Sequence, residues 1–369
     1  SNNIVISGNI ATLAGSITKG LTSSDTGVLT LSGSSNSYTG GTTISYGTIS
    51  IGYANALNTG AVFVDSGAHL NVASSISAAT IPKITGSGYL DLTNNAVVTL
   101  SYNDNYTFAG SITDHGSLVI TEGSGKTLTL SGTSSYYGTT TLTSGTLAIS
   151  SDANLGNSSS IVFNGGTLQS TGSTVNLSST HGMTLTQAAT INVNSGTTLN
   201  YNGVITGAAT LSKTGSGTLY LYGTSDYTGA TTVSQGTLKI GSAAALGNVS
   251  SGTTVSSGAS LYLVNGVTFD AEPLSLSGTG VSYGAMYSNG NNNYQGAITL
   301  AGHSTIYSIS GTLTLSGGVT GSSNLSLGTS SGAAMTVSAS LGMSGSLTKT
   351  DYGTLLLSSA NTYSGSTSI

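Results

Sequence analysis

Apolar and polar residues alternate along this chain in short runs of about four to six residues, as where Leu219 and Leu221 interleave with Tyr220 and Tyr222. A period of two is what a strand with one buried face requires. Between the runs stand Gly and Asn. Gly33, Gly40, Gly47, Gly132, Gly138, Gly145, Gly223, Gly229 and Gly236 sit where the chain must turn, some of them at positive φ. No window spaces apolar residues three and four apart behind a capped start, so no helical domain is predicted.

The runs recur as a pattern. It is seen best near residues 213–247, in TGSGTLYLYGTSDYTGATTVSQGTLKIGSAAALG, again near residues 27–57 and 125–156, and in truncated form at 349–369. From Tyr38, Tyr136, Tyr227 and Tyr363 the next apolar residue of the pattern, Ile44, Leu142, Val233 or Ile369, lies six positions on. Ile49, Leu147 and Leu238 follow, then Ile51, Ile149 and Ile240, then Leu57, Leu155 and Leu246. Short strands and tight turns alone would fit a sandwich, a barrel or a solenoid. Recurrence of one strand-turn unit selects the solenoid, where each coil stacks on the last and equivalent side chains form ladders. The expected fold is therefore all-β, a parallel β-solenoid (β-helix) running continuously through residues 1–369. Coils of roughly 22 residues would number about 17 and extend on the order of 80 Å. Leu219, Leu221, Val233, Leu238 and Ile240 should point inward.

Composition agrees and narrows function. The 54 Gly and the abundant Ser and Thr suggest disorder at first sight, but 37% of residues are hydrophobic and only 5% charged, the reverse of a disordered chain. Six Lys stand against 11 Asp and Glu, with no Arg, so no basic stripe exists to neutralise nucleic acid phosphates. Cys is absent, which fits any compartment. No stretch approaches the roughly 20 apolar residues of a membrane-spanning helix, so this segment is not expected to insert into a membrane directly.

The repeats resemble the autotransporter-associated β-strand repeat, also called the passenger-associated transport repeat, of secreted bacterial autotransporter passengers. Lys213, Gly215, Gly217, Thr218, Leu219, Tyr227, Gly229, Thr232, Gly236, Thr237, Leu238, Leu246 and Gly247 carry the best match. Elsewhere the pattern loosens: Asp351 and Tyr352 interrupt the copy that starts at Lys349, Glu122 stands where the lysine is expected before Gly123, and Asn58 replaces the last glycine after Leu57. Residues 75–115 and 265–345 show only the same strand-rich texture. The resemblance implies a secreted or cell-surface, outer membrane-associated protein, exported through a C-terminal barrel that lies outside this sequence. It implies no activity.

Candidate chemistry is thin. Polysaccharide-active enzymes also use β-solenoids, but hydrolysis needs two convergent carboxylates, whereas Asp25, Asp65, Asp91, Asp104, Asp114, Asp152, Asp226 and Asp351 are mostly isolated in turn-like contexts. Asp114, His115 and Ser117 have a hydrolase's residue types, yet neighbours in extended chain face opposite ways, and a turn is the better reading. His69, His181 and His303 lack zinc-ligand spacing. Asn103, Asp104 and Asn105, or Asp270 with Glu272, carry oxygen ligands suited to calcium, but read better as solvated loops. The anchoring tyrosine of each repeat is read as structural, its ring packed over a turn and its hydroxyl reaching water. Tyr220 with Tyr222, or Tyr283 with Tyr287, could instead present an aromatic surface to sugars or to a neighbouring rod.

No catalytic, cofactor-binding or metal residue is therefore assigned, no cofactor is expected, and the ligand-binding residues are not identified. The expected role is a structural or adhesive shaft, with an adhesin that recognises a specific carbohydrate or protein ligand as the second reading and an enzyme as the third. Expected partners are cell-surface glycans and adjoining copies or coils of the same protein. Ser1 to Leu13 and Leu355 to Ile369 both read as ordinary coil, and joining Ile369 to Ser1 nearly restores the repeat, which predicts end-to-end continuation.

Overall fold

The computed structural model describes residues 3–11, 14–157 and 160–369. Ser1, Asn2, Thr12 and Leu13, which the continuation reading draws on, lie outside the described residues. By its contacts the chain forms two compact units: the residues up to Gly172 with Thr180–Gly182, and Ser173–Ser179 with Met183–Ile369. Each is a stack of β-coils, and the two together contain about 17 turns. The helical content among the described residues is two 3-10 turns, Thr93–Asn95 and Asp152–Leu155.

In the first unit one ladder runs Ile4, Leu29, Ile49, Leu70, Leu90, Ile112 through six parallel strands. A second face carries Tyr106, Leu128, Leu147 and Leu168, and a third carries Ala79, Val98, Leu118, Thr140 and Ile161. In the second unit Leu199, Leu219, Leu238, Leu261, Met286 and Ile306 stack in the same manner. Leu211, Thr231, Thr253, Leu274, Ile298, Val319 and Leu341 form a further ladder.

All these pairings are parallel and join strands of successive coils, so the backbone groups of one coil bond those of the next rather than closing hairpins. Because side chains alternate across each strand, every second residue enters the interior. The Thr218–Leu221 strand shows it: Leu219 and Leu221 are buried while Thr218 and Tyr220 are half-covered. All five residues expected to face inward are buried. So are Ile44, Ile49, Ile51 and Leu57 with their equivalents in the second and third copies, whereas Ile369 is fully exposed.

The turn glycines serve two distinct needs. Gly47, Gly145 and Gly236, which open the Gly-Thr-Leu and Gly-Thr-Ile strands, have φ of 73°, 70° and 65°, a conformation only glycine enters cheaply. Gly138 and Gly229 of the Tyr-x-Gly turn have ordinary φ but lie on the coil beside them. A Cβ there would sit 2.1 Å from the carbonyl oxygen of Gly116 or Ala209.

Candidate functional site

The repeated corner is the first structure the motif builds. In every copy the tyrosine hydroxyl meets the threonine hydroxyl four residues on: Tyr38 with Thr42 at 3.0 Å, and Tyr136 with Thr140, Tyr227 with Thr231 and Tyr363 with Thr367 at 2.6 Å. Tyr38, Tyr136 and Tyr227 are buried, ring and hydroxyl together, so the expectation of a hydroxyl reaching water is corrected. The reason is the strand alternation. Thr231 and Val233 face inward and Thr232, the residue picked out from the sequence, faces outward, which places a hydroxyl inside the coil at the tyrosine's reach. Burial pushes the Tyr38 and Tyr227 hydroxyls above the usual phenol range.

The following coil closes on the same tyrosine. Asn157 and Asn248 donate their backbone N–H to the carbonyls of Tyr136 and Tyr227 at 2.8 and 2.9 Å. The preceding Gly156 and Gly247, at φ 70° and 81°, come so near that a Cβ would lie 2.4 and 2.5 Å from those oxygens. In the first copy Asn58 takes the glycine's place and donates its side-chain amide to the Tyr38 carbonyl at 2.7 Å, so the departure from the family pattern keeps the bond.

Several charges lie inside the coils. Lys213 is fully buried; its Nζ donates to the carbonyls of Thr214, Gly215 and Gln235 at 2.8, 2.7 and 3.2 Å, and burial lowers its pKa to about 8. Lys213 pairs with Val233 and Lys19 with Ile44, so Lys19 holds the same rung in the first copy. Sequence reading misses Lys19, because it stands 19 residues before Tyr38 where Lys213 stands 14 before Tyr227. The intervening loop lets Asp25 reach the Lys19 ammonium at 2.6 Å. In the second copy that rung is Ile120, paired with Leu142. Glu122 is therefore not a substitute for the lysine: its carboxylate is buried and accepts from the Tyr106 hydroxyl at 2.8 Å and the Tyr102 backbone N–H at 3.2 Å.

Glu272 corrects a second expectation. Asp270 is exposed as a loop residue should be, but Glu272 is 4% exposed and burial raises its pKa to about 7. Its Oε1 accepts from the Thr253 hydroxyl at 3.0 Å, and its Oε2 is buried without a partner. Asn103, Asp104 and Asn105 are exposed as expected, with Asp104 held below the usual carboxylate range by the Lys83 ammonium 3.1 Å away.

The tyrosines considered as a surface assemble into a column in the second unit. Tyr220, Lys239, Tyr262, Tyr287 and Tyr307 are successive outward rungs of one ladder. The Lys239 ammonium lies 4.1 Å from the Tyr220 ring centroid and 5.4 Å from that of Tyr262, and Tyr262 stacks on Tyr287 at 4.3 Å. Tyr222 and Tyr283 flank the column and are exposed. The faces of the stacked rings are thus directed at one another, and the Tyr220 and Tyr262 hydroxyls accept from Asn265 and Asn289. This column satisfies itself and adds cohesion between coils.

The suspected hydrolase residues do not assemble. Asp114 ends the Ser111–Asp114 strand at φ 73°, a corner residue, and His115 stacks on Tyr137 at 5.3 Å. His69 bonds Asp91 at 2.8 Å and stacks on Tyr89, and His181 lies 3.3 Å from Asp152. Among the described residues no three His, Cys, Asp or Glu side chains converge as a metal site would require, and no helix is long and apolar enough to cross a membrane.

These features define a parallel β-solenoid whose recurring tyrosine–threonine corner is the mark of one repeat. Four segments, residues 21–51, 116–149, 211–240 and 347–369, match the family model of the passenger-associated-transport-repeat, and the chain belongs to the proteins that carry it. In an alignment 318 positions long that covers 81% of the chain, it is 35% identical to the Adhesin BmaC autotransporter of Brucella suis biovar 1 (strain 1330), of which it spans 8%. No solved structure matches the chain.

Proposed function

We propose that this chain is a non-catalytic shaft segment of an exported, surface-displayed adhesin, a spacer whose coils bond to one another. The observation that carries this reading is where the polar groups go. The tyrosine hydroxyls, Lys213 and Glu122 are spent inside the coils, and the column from Tyr220 to Tyr307 is spent on itself. An enzyme would instead aim such groups at a common point. The repeat match and the adhesin relative support the surface location.

The test is an in-frame deletion of this segment from the full-length protein in its own cell. An epitope on the far side of the deletion should move closer to the membrane in immunogold images while display continues, and attachment to host cells should fall. Loss of display altogether would argue for a transport role instead. Depolymerisation of a polysaccharide by the purified chain would overturn the non-catalytic reading.

A further inference from the structure

One groove in the first unit has a construction the shaft role does not require. The coils that contain Ser34–Asn36 and Asn55–Thr59 pass from Val28–Leu31 to Thr42–Ile44, and from Thr48–Ile51 to Val62–Val64, without a strand between. In the next two coils that side is filled by Ala78–Ile81 and Val97–Leu100. The step between open loops and the first strand of the third sheet leaves a cleft of about 520 Å³, within the roughly 300–1,000 Å³ of small-molecule sites. It crosses four coils, roughly 14 Å at the spacing of neighbouring strands.

Its lining is uniform in charge and mixed in polarity. Leu57 and Pro82 are buried residues bordering the cleft, and the Tyr102 ring stands at one side, half-buried. Tyr102 is held in place: its backbone N–H is bound by Glu122, and its ring meets Tyr106 edge-on at 6.3 Å. Asn36 and Asn58 are committed to the scaffold through the carbonyls of Ala56 and Tyr38. Asn55, Thr80 and Asn103, by contrast, are exposed lining residues whose side chains bond no described residue. No charged residue lines the cleft; nearby Lys83 is engaged by Asp104, and its ammonium lies 5.6 Å from the centroid of the Tyr102 ring, which leaves the other ring face for a ligand.

We propose that this groove binds a neutral oligosaccharide of about three sugar rings, with its C–H face against Tyr102 and its hydroxyls on the amides of Asn55 and Asn103. The amide offers a donor and an acceptor side by side, which suits a pair of neighbouring ring hydroxyls. An anion finds no free cation in the lining, and an apolar ligand would leave the rim amides unpaired. The proposal rests on the surface-display reading only for its biological use, since binding is a property of the purified chain.

The experiment is titration of the whole chain with maltotriose, cellotriose, xylotriose and triacetylchitotriose, followed by calorimetry and by NMR, with trigalacturonic acid and a Gly-Ser-Asn-Gly-Ser peptide as contrasts. At least one neutral trisaccharide should bind saturably with a Kd below ~5 mM. Tyr102→Ala should weaken it at least about tenfold, Asn55→Ala and Asn103→Ala about threefold each, and Tyr102→Phe and the distant Tyr222→Ala hardly at all. Should Tyr102→Ala melt early, the two exposed asparagine variants decide. The proposal fails if no neutral trisaccharide binds, if only the peptide or the acidic sugar does, or if binding ignores all three variants. Saccharide binding that survives alongside a deletion strain with unchanged attachment would overturn the adhesin reading and leave the groove standing.

Discussion

Tyr227 and Thr231 share a 2.6 Å hydroxyl–hydroxyl hydrogen bond in an interior that excludes water. Neither hydroxyl has a solvent alternative, so each depends on the other. Tyr227→Phe should cost about 1–3 kcal/mol by stranding the Thr231 hydroxyl. Thr231→Val should cost a similar amount by stranding that of Tyr227. The double variant should be less destabilised than the sum of the two, because no polar group is then left unpaired. Denaturant unfolding of the four proteins measures the coupling; simple additivity would show that the bond contributes nothing of its own.

Leu238 lies at the centre of a ladder of buried residues, between Leu219 and Leu261. Leu238→Ala should destabilise the second unit by about 2–5 kcal/mol, since stacked coils above and below prevent the cavity from collapsing. Leu356→Ala, at an exposed position, should cost less than ~0.5 kcal/mol. Chemical denaturation of both variants tests the inward register directly.

Glu272 should make the protein more stable in mild acid. Its pKa is raised from 4.5 to about 7 in the folded chain. The folded state therefore holds a proton that the unfolded state releases between those values. Its contribution is fully present below pH 4.5 and is lost as pH rises through about 7. The difference is on the order of 3 kcal/mol. Glu272→Gln should flatten the melting temperature between those limits while keeping an acceptor for the Thr253 hydroxyl.

Lys213 acts in the alkaline range with the opposite slope. Its folded pKa, lowered to about 8, means that the unfolded chain binds the extra proton between that value and 10.5. Stability should therefore rise with pH from about 8 toward the onset of tyrosine ionisation. Above roughly pH 10 it should fall again, because burial keeps the Tyr227 hydroxyl protonated in the folded state while the unfolded one ionises. Lys213→Met should remove the rise and leave the fall. A melting curve measured across this range distinguishes the two slopes.

How much of this was legible beforehand follows from the range of each interaction. The period of two, the turn glycines and the six-residue step from Tyr227 to Val233 are local, and they were enough to establish an all-β solenoid, its repeat family and the inward register of Leu219, Leu221, Val233, Leu238 and Ile240. What depended on neighbouring coils was not legible. The Tyr227 hydroxyl finds its partner because strand alternation turns Thr231 rather than Thr232 inward. The shared rung of Lys19 and Lys213 is hidden by an insertion that changes spacing along the chain but not position in the stack. Glu272 reads as a loop acid until the neighbouring coils cover it. The groove beside Tyr102 belongs to four coils at once, and its free amides become a site only because loops give way to a strand between one coil and the next. Sequence period determines which face of a strand is buried; stacking decides what that face, and the surface beside it, will meet.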